Sequence, residues 1–159
     1  MPRKLKPLLT LIAPGFFAMV LSACAATPPA PVTAARMAPF STDGCSLFPD
    51  RALIGNADWR GCCVAHDHAY WRGGRVEARL KADQALRACV HEATGNEALA
   101  ELMYLGVRTG GGPYYFTSYR WAYGWPYGRG YAPLTPSEEA LADSLEREAS
   151  SPSPAAVGK

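Results

Sequence analysis

The stretch "CCVAHDHAY", residues 62–70, sets two adjacent cysteines ahead of two histidines that flank an aspartate. It constrains the fold more than any other part of the chain. On a helix, residues four apart share a face, so Cys62, His66 and Tyr70 make one face. Cys63 and Asp67, turned by about 100°, make the next. Each face therefore carries its own cysteine and needs its own partner. The same residue types also suit other uses: zinc ligation by Cys62, Cys63, His66 and His68, or plain core packing.

The compartment decides between these uses. The opening "MPRKLKPLLTLIAPGFFAMVLSAC" has a basic head, an apolar stretch from Leu8 to Leu21 and small residues before Cys24, the plan of an export signal. "LSAC" resembles the bacterial lipobox, in which the cysteine is acylated and becomes the new N-terminus. The apolar run is shorter than the ~20 residues of a spanning helix. More than one acyl chain on Cys24 anchors a protein stably, and Ala25 rather than aspartate after it points to the outer membrane. Outside the cytoplasm the remaining cysteines, Cys45, Cys62, Cys63 and Cys89, are an even set expected to form two disulfides. This weighs against zinc, for which adjacent cysteines are also poorly spaced. Without residues 1–23 the chain has 13 Lys plus Arg against 14 Asp plus Glu, so charge gives no case for nucleic acid as a partner.

The expected organisation is a lipoprotein signal over 1–23, a lipidated cysteine and flexible Pro-rich tether over 24–39, a folded domain over 40–134, an acidic helix over 135–149 and a disordered tail over 150–159. Within the domain, apolar periodicity predicts helices over about 61–71, 76–91 and 97–107, the last capped by Asn96. "RGG" at 72–74 is a turn, so the first two helices should be antiparallel. Thr135, Pro136 and Glu138 form a capping box with proline at the first helical position. Leu141 and Leu145 give the helix after it only a thin apolar stripe, which predicts a surface or partly detached element.

In the second helix Val76, Leu80, Leu86 and Val90 mark a buried stripe, and Asp83 falls inside it. A carboxylate there needs a charge or hydrogen-bond partner, and the facing helix offers His66 and Tyr70. A Cys62–Cys89 bond would clamp that register, while a Cys45–Cys63 bond would bring Asp43 and the Gly44 backbone of "STDGCSLFPD" close to Asp67. Hard oxygen ligands of this kind suit calcium. The alternative, Cys45 with Cys62 and Cys63 with Cys89, swaps the two faces and leaves Asp83 facing nothing obvious.

The helix "CCVAHDHAY", with Tyr70 after the His66-Asp67 pair, resembles the active-site helix of secreted phospholipase A2. Asp83, six residues before Cys89, matches that family's second-helix spacing, and "STDGCSLFPD" resembles the calcium loop of its bacterial branch. The likeness covers about residues 43–90; the glycine-rich calcium loop of the animal enzymes is missing. It implies a mainly α, small disulfide-linked domain of phospholipase A2 type, built on two antiparallel helices with a calcium loop and an irregular aromatic and Gly-rich segment. It also implies Ca²⁺-dependent hydrolysis of the sn-2 ester of membrane phospholipid. His66 is then the base, Asp83 its orienting acid and Tyr70 a support for Asp83; Asp43, Gly44 and Asp67 are the metal ligands.

One stretch stands apart from the likeness. "GGGPYYFTSYRWAYGWPYGRGY", residues 110–131, has an aromatic ring at nearly every second or third place. Rings with polar tips suit a lipid interface, and they equally suit an irregular lid over a small core.

Overall fold

The structure, a computed structural model, describes residues 36–150. The export signal, Cys24, most of the tether and the tail from 151 lie outside the described residues. Within them the chain is a small all-α domain of four helices, α1 (Arg60–Arg72), α2 (Val76–Thr94), α3 (Glu97–Gly110) and α4 (Pro136–Ser150), with two disulfides and no sheet. None of these helices is long and apolar enough to cross a membrane. Disulfides of this kind persist in oxidising surroundings outside the cytoplasm.

Local chemistry sets the helix ends. Gly73 and Gly74, both at positive φ, end α1 and turn the chain into α2. Gly95 takes the left-handed conformation that closes α2, its N–H donating to the His91 carbonyl at 2.7 Å. The Asn96 side chain then accepts from the Leu99 N–H and starts α3. At α4 the Thr135 N–H donates to Glu138 at 2.8 Å while the Thr135 hydroxyl faces the Glu138 N–H, the reciprocal capping pair.

Three cross-contacts fix α1 against α2. Cys62 bonds Cys89, His66 meets Asp83, and Tyr70 meets Arg79, so numbers rise on one helix as they fall on the other. The helices are antiparallel. A first core around Trp59, Leu86, Val90 and Met103 surrounds the disulfides, and a second is built from Trp71, Trp121 and Trp125. Each buried tryptophan removes some 150–250 Å² from water, an upper bound of about 5 kcal/mol apiece.

Two expectations need correction and a third, the surface or partly detached acidic helix, is narrowed to its first form. The tether gives way to the domain earlier than residue 40: Met37 is buried among the tryptophans, the Ala38 N–H donates to the Gly124 carbonyl, and the Trp71 indole donates to the Ala38 carbonyl. The acidic helix is docked rather than detached. Ala142 packs fully buried into the tryptophan core, and Arg72 holds Asp143 and Glu146 from α1. Finally, Val76 and Leu80 are exposed: Val76 lies past the end of α1, and Leu80, level with Tyr70, is turned by about 100° off the inward face, which there is made by Arg79 and Asp83.

The aromatic segment divides its rings between two jobs. Trp121 and Trp125 are core, whereas Tyr114, Tyr115, Phe116 and Tyr127 face solvent. Its backbone and indoles also cap α1: Ala122 and Gly124 N–H groups donate to the Tyr70 and Trp71 carbonyls, and the Trp125 and Trp121 indoles donate to those of Arg72 and Gly74.

Candidate active site

Because α1 and α2 lie antiparallel in this register, the fully buried Asp83 carboxylate comes to face α1. His66 Nε2 lies 2.8 Å from Asp83 Oδ1, and the Tyr70 hydroxyl donates to the same oxygen at 2.7 Å. Burial alone would raise the pKa of Asp83, but the hydrogen bonds from His66, Arg108 and Tyr70 outweigh it and hold the carboxyl below its usual range. An ionised carboxylate only accepts, so Nε2 carries the imidazole proton and Nδ1 is left as the basic nitrogen. Burial, then the Asp83 charge, pushes the Tyr70 phenol far up, which keeps it a donor.

Two arginines that sequence reasoning did not place complete this network. Arg79, buried, donates from Nε to the Tyr70 hydroxyl oxygen (2.9 Å), from Nη1 to the Tyr131 hydroxyl (2.8 Å), and from Nη2 to the Val107 and Arg108 carbonyls (2.7 and 2.8 Å). Arg108 donates from Nη1 to Asp83 Oδ2 at 2.6 Å. A signal for Arg79 existed, since it precedes Asp83 by one helical turn on the same face. Arg108 arrives from α3, whose placement no spacing in the sequence sets.

His66 and Tyr70 line a mainly apolar cavity of about 130 Å³ between the loop 44–48, α1, and the last turns of α3. Leu47, Met103 and Val107 supply much of its wall. Asp67 also borders it, and borders a second cavity of about 240 Å³ with Thr42, Asp43, Ser118, Tyr119 and Tyr123. Asp67 and Tyr119 are common to both.

Disulfides hold this arrangement from both sides. Cys45–Cys63 ties the 43–50 loop to α1, and Cys62–Cys89 ties α1 to α2. All four described cysteines are thus oxidised, leaving no thiolate for zinc. Gly44 stands at φ +86°, and a Cβ there would run into Asp50 and Arg60, whose ion pair braces the loop. His68 belongs to a different contact, its Nδ1 3.4 Å from Glu146 on α4.

The two carboxylates at the second cavity, Asp43 and Asp67, are ligands of the kind a hard cation takes. Burial raises the pKa of Asp67; the Thr42 hydroxyl, donating at 2.6 Å, opposes this, and the charge of Asp43 adds to it. A divalent cation would relieve both effects, and carboxylate with carbonyl oxygen suits Ca²⁺. Among the described residues no three His, Cys, Asp or Glu side chains gather to hold a metal by themselves, so carbonyl and solvent oxygens would have to complete the sphere. Asp43 itself accepts from the Ser46 hydroxyl at 2.9 Å, and Gly44 borders the apolar cavity.

The arrangement sets an imidazole, oriented by a buried carboxylate, beside an apolar pocket, with the Asp43 and Asp67 carboxylates at a neighbouring cavity. No protein-family model, curated protein or solved structure matches the chain, so the likeness to phospholipase A2 rests on the residues themselves.

Proposed function

We propose that the protein is a phospholipase A2-type hydrolase of the bacterial cell envelope, exported and anchored through lipidated Cys24, that releases the sn-2 fatty acid from a glycerophospholipid. The observation that carries the reading is the buried His66 Nε2–Asp83 Oδ1 pair beside an apolar cavity that Asp67 also borders. His66 Nδ1 takes a proton from water as the water oxygen adds to the ester carbonyl carbon; the bond from that carbon to the glycerol oxygen then breaks, and the imidazolium returns the proton to the departing oxygen, giving fatty acid and lysophospholipid. Asp83 fixes the tautomer and stabilises the imidazolium, with Tyr70 holding the carboxylate in place. The apolar cavity takes hydrocarbon and excludes bulk water. Asp43, Asp67 and the Gly44 carbonyl would hold Ca²⁺, which when bound supplies a Lewis acid for the ester carbonyl and a counter-charge for phosphate.

A chain beginning at Ala25, oxidised, tests this with sn-2-labelled phospholipid in calcium and in chelator. Release that depends on calcium and is lost in His66→Gln is expected; release indifferent to both refutes the mechanism. A second reading, a catalytically silent scaffold that binds lipid or a protein partner, draws on the Arg108–Asp83 ion pair, since a carboxylate so paired has a structural reason to be there. Binding of phospholipid vesicles without release would favour it.

A further inference from the structure

Asp83 presents two oxygens, and the hydrolytic reading uses only one. Oδ1 receives both His66 and Tyr70. Oδ2 receives Arg108 at 2.6 Å, while Arg79 Nε stands off at 3.8 Å and is committed to Tyr70. Arg108 is therefore the cation that hydrogen-bonds the carboxylate directly. Its side chain is 29% exposed and Asp83 is fully buried, so the guanidinium reaches in from the edge of the network.

We propose that Arg108 is a positioning residue for the His66–Asp83 pair, a step that rests on the hydrolytic reading. Two donors on Oδ1 leave the carboxylate free to rotate about the bond to its carboxyl carbon; a charged donor on Oδ2 fixes the plane. With the plane fixed, Oδ1 stays at hydrogen-bond distance from Nε2. The guanidinium also draws carboxylate charge toward Oδ2, and so sets how much of it the imidazole feels. Arg108 sits on α3, the helix that contributes Met103, Val107 and Gly110 to the apolar cavity, yet is not itself a lining residue. Its effect should fall on the chemical step and not on substrate binding.

The test uses the full chain in mixed micelles with sn-2-labelled phospholipid, comparing wild type, Arg108→Met and Arg108→Lys. Arg108→Met should lower kcat by about 10- to 100-fold with KM held within about twofold, the size expected for one charge-assisted hydrogen bond acting through another group. Arg108→Lys should recover part of the loss. In parallel, the low-field NMR resonance of the His66 Nε2 proton should move in Arg108→Met. An unchanged kcat, a loss carried by KM, or a loss that follows collapse of the fold with Lys no better than Met overturns the inference. If wild type releases no fatty acid, the hydrolytic reading fails and the imidazole proton decides alone: moved by Arg108→Met it upholds positioning, unmoved it overturns that too.

Discussion

Asp83→Asn changes one oxygen to an amide nitrogen at nearly constant volume, and no orientation of the amide satisfies the site. With nitrogen at the Oδ2 position, a donor confronts Arg108 Nη1 across 2.6 Å. With nitrogen at the Oδ1 position, it confronts the Tyr70 hydroxyl and His66 at 2.7 and 2.8 Å, forcing both to reverse their roles. Either way Arg79 and Arg108 lose their shared anion. Breaking a buried pair costs about 3–5 kcal/mol, and the lower end applies because Arg108 can turn outward into water. At about 4 °C per kcal/mol for a domain of this size, the thermal midpoint should fall by about 12 °C. The pH dependence gives a second signature. Because the folded pKa is depressed, the stability Asp83 contributes is present above the unfolded value near ~4 and fades as pH falls through the lower folded value. The gap between wild type and variant should hold from neutral pH to about 4.5 and close only under stronger acid. Scanning calorimetry across that range checks both numbers; a midpoint within about 4 °C of wild type at pH 7 would refute the reasoning.

Further outcomes follow from the same geometry. Arg79→Met strips donors from two carbonyls and two phenols inside the domain, and chemical denaturation should show a loss of about 3–5 kcal/mol. Asp67 has the opposite sign to Asp83: its folded pKa is raised, so its contribution is favourable below the unfolded value and is lost as pH rises through the folded one. Asp67→Asn should therefore raise the melting temperature at pH 7 in chelator. In wild type, calcium at about 100 times its Kd should add about 2.7 kcal/mol, and differential scanning fluorimetry should show that this gain vanishes in the variant. Gly111→Ala would put a Cβ 2.6 Å from Tyr70 Cε1, so a loss of about 1–3 kcal/mol is expected together with a weaker Tyr70–Asp83 bond, read by unfolding and by fatty-acid release.

Much of this site can be read from local spacing, and the unread part has a physical reason. Asp83 was conspicuous because a carboxylate in an apolar stripe demands a partner, and helical geometry left His66 and Tyr70 as the candidates on the facing helix. Arg79 lies in the same stripe, but a long cation is ordinarily read as reaching for solvent, and here four polar acceptors draw it inward. Val76 and Leu80 misled for the converse reason: both are apolar near the right period, but α1 ends before it could cover Val76, and Leu80 falls one residue off the face that Arg79, Asp83, Leu86 and Val90 turn inward. Arg108, Thr42 and Tyr123 come from segments whose approach depends on packing across the whole domain. Met37 was hidden in a Pro-rich run whose composition reads as tether until a tryptophan cluster offers it a place.

The capping of α1 by the aromatic segment carries a consequence for the order in which the molecule becomes whole. A chain ending at Gly110 would hold both disulfides, His66, Asp83 and both arginines, yet the carbonyls of Tyr70, Trp71, Arg72 and Gly74 would have lost the donors supplied from 121–125. The last turn of α1, and Tyr70 with it, would fray. In folding, that turn is therefore latched only once residues 121–125 have docked, so the residues that resemble an enzyme are finished by a segment outside the likeness.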